Sequence, residues 1–151
     1  MSFEKTYLFE GMRQEFIDKV SQALGEESFE EGSFIFRQGD PASSLFFLVE
    51  GRVRVTVGAQ GTVTKILNNP GQAFGWSSLV GRGTYTASAR CLDFTRVKRV
   101  SAEKMNLLLE GDPSAGLIFY RRLARFIRER LIDSYRVLLT YDAEKKPHSY
   151  G

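Results

Sequence analysis

The residues with the clearest potential for chemistry lie in one short segment near the middle of the chain. Gly75 is followed by Trp76 and two serines, a pattern typical of a turn that opens into a single turn of helix. Backbone N–H groups at a helix start carry partial positive charge and point outward, so they bind anions. Glycine allows close approach to the backbone, and the serines add hydroxyls. The segment predicts an anion site, with an ordinary capped turn as the alternative; its residues are Phe74, Gly75, Trp76, Ser77, Ser78 and Leu79.

Catalytic and metal chemistry have little support in the sequence. The only cysteine, Cys91, and the only histidine, His148, lie in unrelated segments, whereas a zinc site needs about four ligands. His148 sits in a polar tail with nothing to orient it, so a Cys–His nucleophilic pair is not expected. No paired carboxylates, Ser-His-Asp set or phosphate-loop motif is visible. We therefore predict no enzyme, no catalytic residues, no metal and no cofactor, and we expect Cys91 to be a small buried hydrophobe.

Positive charge is concentrated near the end of the chain. The net charge is +3, and six arginines crowd the last predicted helix. They form either a solvated helix face or a surface for an acidic partner or nucleic acid. These arginines are Arg121, Arg122, Arg125, Arg128, Arg130 and Arg136.

Length and composition indicate one globular domain. The 151 residues, with 12 Phe and 6 Tyr, suffice for one aromatic-rich core. The first residues lack the basic and apolar stretches of a signal peptide, and there is no apolar run of about 18 residues to span a membrane. A lone cysteine also fits a reducing compartment. We therefore expect a cytoplasmic protein without membrane insertion.

Hydrophobic periodicity divides the chain into a helix, a run of short strands and two further helices. Residues 12–24 have helical spacing, and Gly25 is expected to end that helix. Residues 28–100 contain short apolar stretches separated by turn motifs. Ser101 and Asp112-Pro113 are expected to begin the last two helices. Strands at this spacing are typical of an antiparallel sandwich or roll.

The last helix is predicted to span residues 113–140 and to carry an apolar stripe. The alternate four- and three-residue spacing of the stripe suits packing on the roll and on a second copy of the same helix. We therefore expect a homodimer through this helix, followed by a flexible tail over residues 142–151. The stripe consists of Tyr120, Ala124, Ile127, Leu131, Ser134 and Leu138, with polar Ser134 interrupting it.

These motifs, taken in order, resemble the cyclic-nucleotide-binding domain, the sensor part of the catabolite-activator family. Residues 29–40 resemble its opening strand and Gly-Asp corner, and residues 50–53 its hairpin turn. Residues 71–79 resemble the start of its phosphate-binding cassette, and Arg121-Arg122-Leu123 a motif of its long C-terminal helix. The resemblance covers residues 9–140, nearly the whole chain.

The resemblance implies a mainly β fold with α-helices. The expected architecture is a double-stranded β-helix, that is, a jelly-roll-like β-roll, flanked by an N-terminal helix and two C-terminal helices. Together with the dimer helix it forms a single domain over residues 1–141.

Two positions depart from the family's pattern. Where the family has a glutamate that accepts from the ribose hydroxyl, this chain has Trp76, whose indole cannot accept a hydrogen bond. Where the family has the arginine that pairs with the cyclic phosphate, this chain has Tyr85, which offers neither charge nor a bidentate fork. Arg82, in a glycine-flanked loop, or Arg90 replaces that arginine, unless both are surface residues. The resemblance adds the next strand to the ligand site, through Tyr85, Thr86, Ala87 and Ser88.

Two functions stay open. The first is a small-molecule sensor, in which Trp76 and Tyr85 form an aromatic wall and the ligand is a cyclic nucleotide or another anionic metabolite. The second is a ligand-free structural or interaction module, in which the two rings fill the cavity themselves. An open pocket beside residues 75–78 would favour the first. We do not expect a specific DNA-binding regulator, because residues 141–151 are too short for the helix-turn-helix that many family members carry.

Overall fold

The structure, a computed structural model, describes residues 6–58, 63–81 and 83–145. The described residues form helices and strands in the order that the sequence predicted. Their bounds are α1 Gln14–Ala23, β1 Gly25–Phe29, β2 Phe34–Phe36, β3 Ser44–Glu50, β4 Val53–Val57, β5 Val63–Leu67, β6 Ala73–Phe74, α2 Ser77–Val80, β7 Ser88–Cys91, β8 Thr95–Ser101, α3 Ala102–Gly111 and α4 Pro113–Lys145.

The strands form two four-stranded sheets with antiparallel pairing throughout. One sheet has the order β1-β8-β3-β6 and the other β2-β7-β4-β5. One core lies between the two sheets. A second, called here the helix-side core, lies between the first sheet and helices α1, α3 and α4. This arrangement confirms the predicted β-roll flanked by helices.

Strand β3 connects the two cores. Leu45 and Phe47 belong to the core that packs against the helices, whereas Phe46 and Leu48 belong to the core between the sheets. Side chains alternate across a strand, so a strand buried on both faces has a continuous apolar sequence. The turn that leaves β3 contains Gly51 at φ +103°, where a Cβ atom would lie 2.6 Å from the Phe94 carbonyl oxygen. Only glycine fits that position.

The end of the first helix differs from the prediction. Gly25 does not cap α1; Leu24 does so in an extended conformation, and its N–H donates to the Val20 carbonyl. Gly25 is already the first residue of β1, where it pairs with Arg99. Gly25 therefore follows the helix at the predicted position but lacks the left-handed conformation of a glycine cap, because pairing of β1 with β8 extends the backbone directly after the helix.

The predicted starts of the last two helices are confirmed. The Ser101 hydroxyl accepts from the Lys104 N–H at 3.1 Å, and the Asp112 carboxylate accepts from the Ala115 N–H at 3.2 Å. Helix α4 continues to Lys145, so residues 142–145 of the expected tail are helical, and residues 146–151 lie outside the described part. None of the helices described is long and apolar enough to cross a membrane.

The N-terminal part of α4 is anchored in the helix-side core. Phe119 and Leu123 are buried there, with the Phe119 ring 5.6 Å from that of Phe9. Arg122 donates to three carbonyl oxygens of the segment before α1, at 2.6 to 3.4 Å, so it is not part of a solvated face. These contacts fix where α4 leaves the core and therefore where its second half passes the roll.

Candidate ligand-binding site

A cavity of about 270 Å³ lies between the β-roll, α2 and α4. Its wall is largely apolar and comes from three parts of the chain. The roll contributes Phe36, Val55, Val57, Lys65, Phe74, Tyr85, Thr86 and Ala87; the turn at α2 contributes Gly75, Trp76 and Ser77; and α4 contributes Ile127, Arg130, Leu131, Asp133, Ser134 and Val137.

Most of the predicted ligand residues meet at this cavity. Three do not: the Ser78 hydroxyl donates to the Gly75 carbonyl, Leu79 packs on the helix-side core, and the Ser88 hydroxyl accepts from the Gln38 N–H. Arg82 lies outside the described residues. The predicted residues at the wall are Phe74, Gly75, Trp76, Ser77, Tyr85, Thr86 and Ala87.

The packing behind the turn explains why position 75 requires a glycine. Its φ is +81°, and an added Cβ would lie 3.1 Å from both the Ser44 carbonyl oxygen and the Phe46 ring. Side chains rarely adopt that φ, and the gap is too narrow for one. The requirement for glycine at this position therefore arises from the backbone conformation and from contact with β3, without a bound anion.

Several polar groups of the predicted anion site are already hydrogen-bonded within the protein. The hydroxyls of Ser77 and Thr86 lie 3.3 Å apart. The amides of Ser78 and Leu79 donate to the Gly75 and Trp76 carbonyls at 3.1 and 2.9 Å. The turn thus has fewer free donors for an anion than its sequence indicates.

Tyr85 presents its ring to the cavity rather than its hydroxyl. That hydroxyl donates to the Ser44 carbonyl at 2.7 Å and accepts from the Ser44 N–H at 3.1 Å. The ring stacks on Phe36 at 3.8 Å, and burial raises the pKa of the phenol. Tyr85 therefore contributes an apolar surface at the position where the resemblance led us to expect a phosphate-binding arginine.

Trp76 is held against α4. Its ring packs edge-on against Phe126, with centroids 5.2 Å apart, and the Arg130 guanidinium lies 5.1 Å from its centroid. Such cation–ring contacts are favourable when the cation is partly desolvated. The indole forms a wall and leaves the cavity open beside it.

Arg130 is the main site residue that the sequence analysis missed. It lies at the wall, partly buried, and burial lowers the pKa of its guanidinium, with Asp133 opposing that shift. In the sequence it is one arginine among six. A signal was available, since it follows Phe126 and Ile127 by four and three residues and so shares their helix face.

The arginine proposed as an alternative phosphate ligand from the strand is elsewhere. Arg90 is exposed, donates to the Gly32 carbonyl at 3.0 Å and lies over the Phe34 ring at 5.1 Å. It is not at the cavity wall.

The expectation that Cys91 is a buried hydrophobe is confirmed. Within the described ranges, no three His, Cys, Asp or Glu residues are grouped to hold a metal.

The sequence of this chain is similar to those of known cyclic nucleotide-binding proteins. The sequence model of the cyclic nucleotide-binding domain family matches residues 26–112. The chain is 30% identical over 147 residues to the cyclic AMP receptor protein of Thermus thermophilus, covering 95% of this chain and 67% of that one. It is 26% identical over 98 residues to a protein named as a potassium channel protein in Rhodopseudomonas palustris, covering 65% of this chain and 24% of the relative.

A solved structure agrees at the level of the fold. The crystal structure of the Thermus thermophilus catabolite activator protein superposes with a TM-score of 0.71 at 28% identity, covering 90% of this chain and 64% of that one. The chain thus spans only part of the length of each of these relatives.

Proposed function

Because the chain belongs to the cyclic nucleotide-binding domain family, we propose that it is a small-molecule-binding regulatory module whose ligand occupies the cavity beside Trp76. Domains of this type are regulatory sensors rather than enzymes. The observation that carries the proposal is that the cavity stays open next to Gly75 and Ser77. It does so although Trp76 and Tyr85 occupy the two positions where the resemblance implies a glutamate and an arginine.

The proposed ligands are a cyclic nucleotide or another anionic metabolite. Relatives named for cyclic AMP and cyclic GMP make these two nucleotides the first to test. The usual contacts are altered here, since Trp76 accepts no hydrogen bond and the Tyr85 hydroxyl is bound to Ser44. A nucleotide would depend on other groups at the wall, on Arg130 above all.

The cavity is placed to transmit binding to α4. Ile127, Arg130 and Leu131 form part of its wall, so a ligand contacts the roll and this helix together. A ligand that binds one position of α4 better than another shifts the population toward it. A partner that contacts α4 would then respond to the ligand.

We also propose a homodimer through the exposed side of α4. Ala124, Leu131 and Leu138 are exposed and recur every seven residues, the repeat of a helical seam. The predicted stripe is only partly free for this purpose. Ile127 and Ser134 border the cavity, and the Tyr120 hydroxyl donates to the Asn106 side chain at 3.1 Å.

A ligand-free module that dimerises is the second candidate function. Its support is that Tyr85 has a hydrogen-bonded hydroxyl and a stacked ring, so this part of the roll is complete by itself. Buried polar groups that are fully satisfied stabilise a domain without a ligand.

Calorimetric titration with cyclic AMP and cyclic GMP up to millimolar concentration tests the proposal. Binding tighter than about 100 μM, which corresponds to roughly 5 kcal/mol, would support a nucleotide site. The Ala87→Leu variant should abolish it, because the added side chain enters the cavity, while thermal unfolding checks that the variant is folded. Trp76 is the only tryptophan, so its fluorescence reports on the wall directly. An absence of heat and of fluorescence change with both nucleotides would favour the ligand-free candidate or a different metabolite.

A further inference from the structure

The polar groups at the cavity wall are not equally available to a ligand. On the roll and at the turn of α2, the hydroxyls of Ser77, Thr86 and Tyr85 have hydrogen-bond partners within the protein. On the α4 side, the Arg130 guanidinium forms no ion pair or hydrogen bond with any residue in the described part of the chain, and it lies over the Trp76 ring. The partly buried charged group that remains available to a ligand at the wall therefore lies on α4 and not on the roll.

The environment of Arg130 favours an anion. Its guanidinium is partly removed from water, as its lowered pKa reflects, and one side of it lies over the Trp76 ring. Asp133 attracts the guanidinium but forms no ion pair with it. A partly desolvated charge without a directly bound counter-ion is unfavourable, and an anion with hydrogen-bond acceptors relieves that cost. The planar guanidinium suits a carboxylate, which it binds with two parallel hydrogen bonds.

The charges around the cavity favour an anion with one negative charge. Asp133 lies on the same wall and repels anions, although Arg136 lies 3.7 Å from its carboxylate. Lys65 of β5 also lines the cavity, but its side chain is exposed to solvent. Arg130 is therefore the one partly buried cation facing the cavity among the residues described, which is too little positive charge for a multiply charged phosphate.

The remaining wall favours an apolar ligand body. Phe36, Val55, Phe74, Leu131 and Val137 line it, together with the ring faces already described. Such surfaces bind flat or branched hydrocarbon groups. A volume of about 270 Å³ holds a small molecule only.

We infer that the ligand is a small ring-containing molecule with a single carboxylate or a similar monoanionic group, and that Arg130 of α4 binds this anion. The inference rests on the proposed function, because it requires the cavity to be a ligand site. It adds that recognition of the anion comes from the helix and not from the turn at α2.

A matched pair of probes tests the inference. 2-Naphthoate and 2-naphthamide have the same ring system and nearly the same shape, and only the first is charged. Each is titrated into the full chain by calorimetry, while the indole N–H signal of Trp76 in a ¹H–¹⁵N spectrum locates binding at the cavity. We expect naphthoate to shift this signal and to bind at least tenfold more tightly than the amide.

Arg130→Gln should remove that tenfold preference, and Arg130→Lys should keep part of it because the charge remains. Arg125→Gln is the matched control, since Arg125 is an exposed arginine of the same helix outside the cavity wall. The control should behave as the unaltered protein does. Thermal unfolding of each variant verifies that the fold is intact.

The outcomes separate this inference from the proposed function. If both probes shift the Trp76 signal with equal affinity, or if Arg130→Gln leaves the preference intact, the inference is overturned while the ligand site stands. Binding of a cyclic nucleotide that is indifferent to Arg130→Gln, without binding of naphthoate, also overturns it. If neither the probes nor the cyclic nucleotides move the signal, the cavity is not a ligand site, and both proposals fail.

Discussion

The two halves of α4 differ in what holds them. Up to Leu123 the helix is part of the core, with Phe119 fully buried, whereas Leu131 and Leu138 farther along are about half exposed, at 48% and 51%. The second half is held to the roll chiefly at Trp76, through Phe126 and Arg130. Segments with few buried apolar contacts open at low free-energy cost. The first half therefore belongs to the framework of the fold, and the second half is the part able to respond to a ligand or to a second chain.

Removing a buried side chain in the first half of α4 should give the largest loss of stability. Phe119→Ala removes a fully buried ring between α4 and the segment around Phe9, and we expect a loss of about 3–5 kcal/mol in the free energy of unfolding. Denaturant unfolding measures the change. Leu139→Ala, in the second half at 68% exposure, is the control and should change stability by less than about 0.5 kcal/mol. Comparable losses in the two variants would contradict the distinction between the halves.

Substitution on the exposed stripe should change assembly and leave the fold intact. Leu138→Asp places a charge in the proposed dimer seam but lies outside the cavity wall, so we expect monomers with unchanged ligand binding. Leu131→Asp should also give monomers and, because Leu131 borders the cavity, should alter ligand affinity too.

Sedimentation or light scattering measures the mass of each variant. The control is Leu107→Asp, which changes a leucine on α3 that lies off the stripe and is somewhat more exposed, at 62%. A dimer that persists in Leu138→Asp, or one that dissociates as readily in Leu107→Asp, would rule out the α4 seam.

The smallest expected effect lies at the very start of the anchored half. The hydrogen bond from the Ala115 N–H stabilises the ionised Asp112 carboxylate and lowers its pKa in the folded state. The nearby Arg13 guanidinium lowers this pKa further, by a smaller amount. A lowered folded pKa means that this contribution is complete above the ordinary pKa of aspartate and is lost as pH falls through the folded pKa. We expect the melting temperature to fall slightly on acidification through that window.

A matched variant isolates this effect. Asn is a good N-cap without a titrating group, so Asp112→Asn should lack this part of the pH dependence. Equal slopes of melting temperature against pH in the two proteins would show that Asp112 contributes nothing to it.

Local sequence determined most of the architecture. Alternating side chains in Val53–Val57, the hydroxyl of Ser101 and the Asp112-Pro113 pair act over a few residues, so their patterns predict strands and helix starts directly. The segment around Gly75 was also predicted as a ligand site from its own residues, and most of it does meet at the cavity. Gly25 shows the limit of local patterns, because a long-range strand pairing overrode an expected helix cap.

Only the tertiary structure decided which of these groups remain available for chemistry. Tyr85 has its hydroxyl bound to Ser44, 41 residues away, and Arg130 reaches Trp76 because Phe119 and Leu123 fix the path of α4 past the roll. Such partners depend on strand order and helix placement, which no single stretch of sequence encodes. The sequence by itself thus determined the elements, the family and the segment that forms one wall of the cavity. The packing of distant elements decided that the polar groups of this wall are largely hydrogen-bonded within the protein and that Arg130 faces it from the helix.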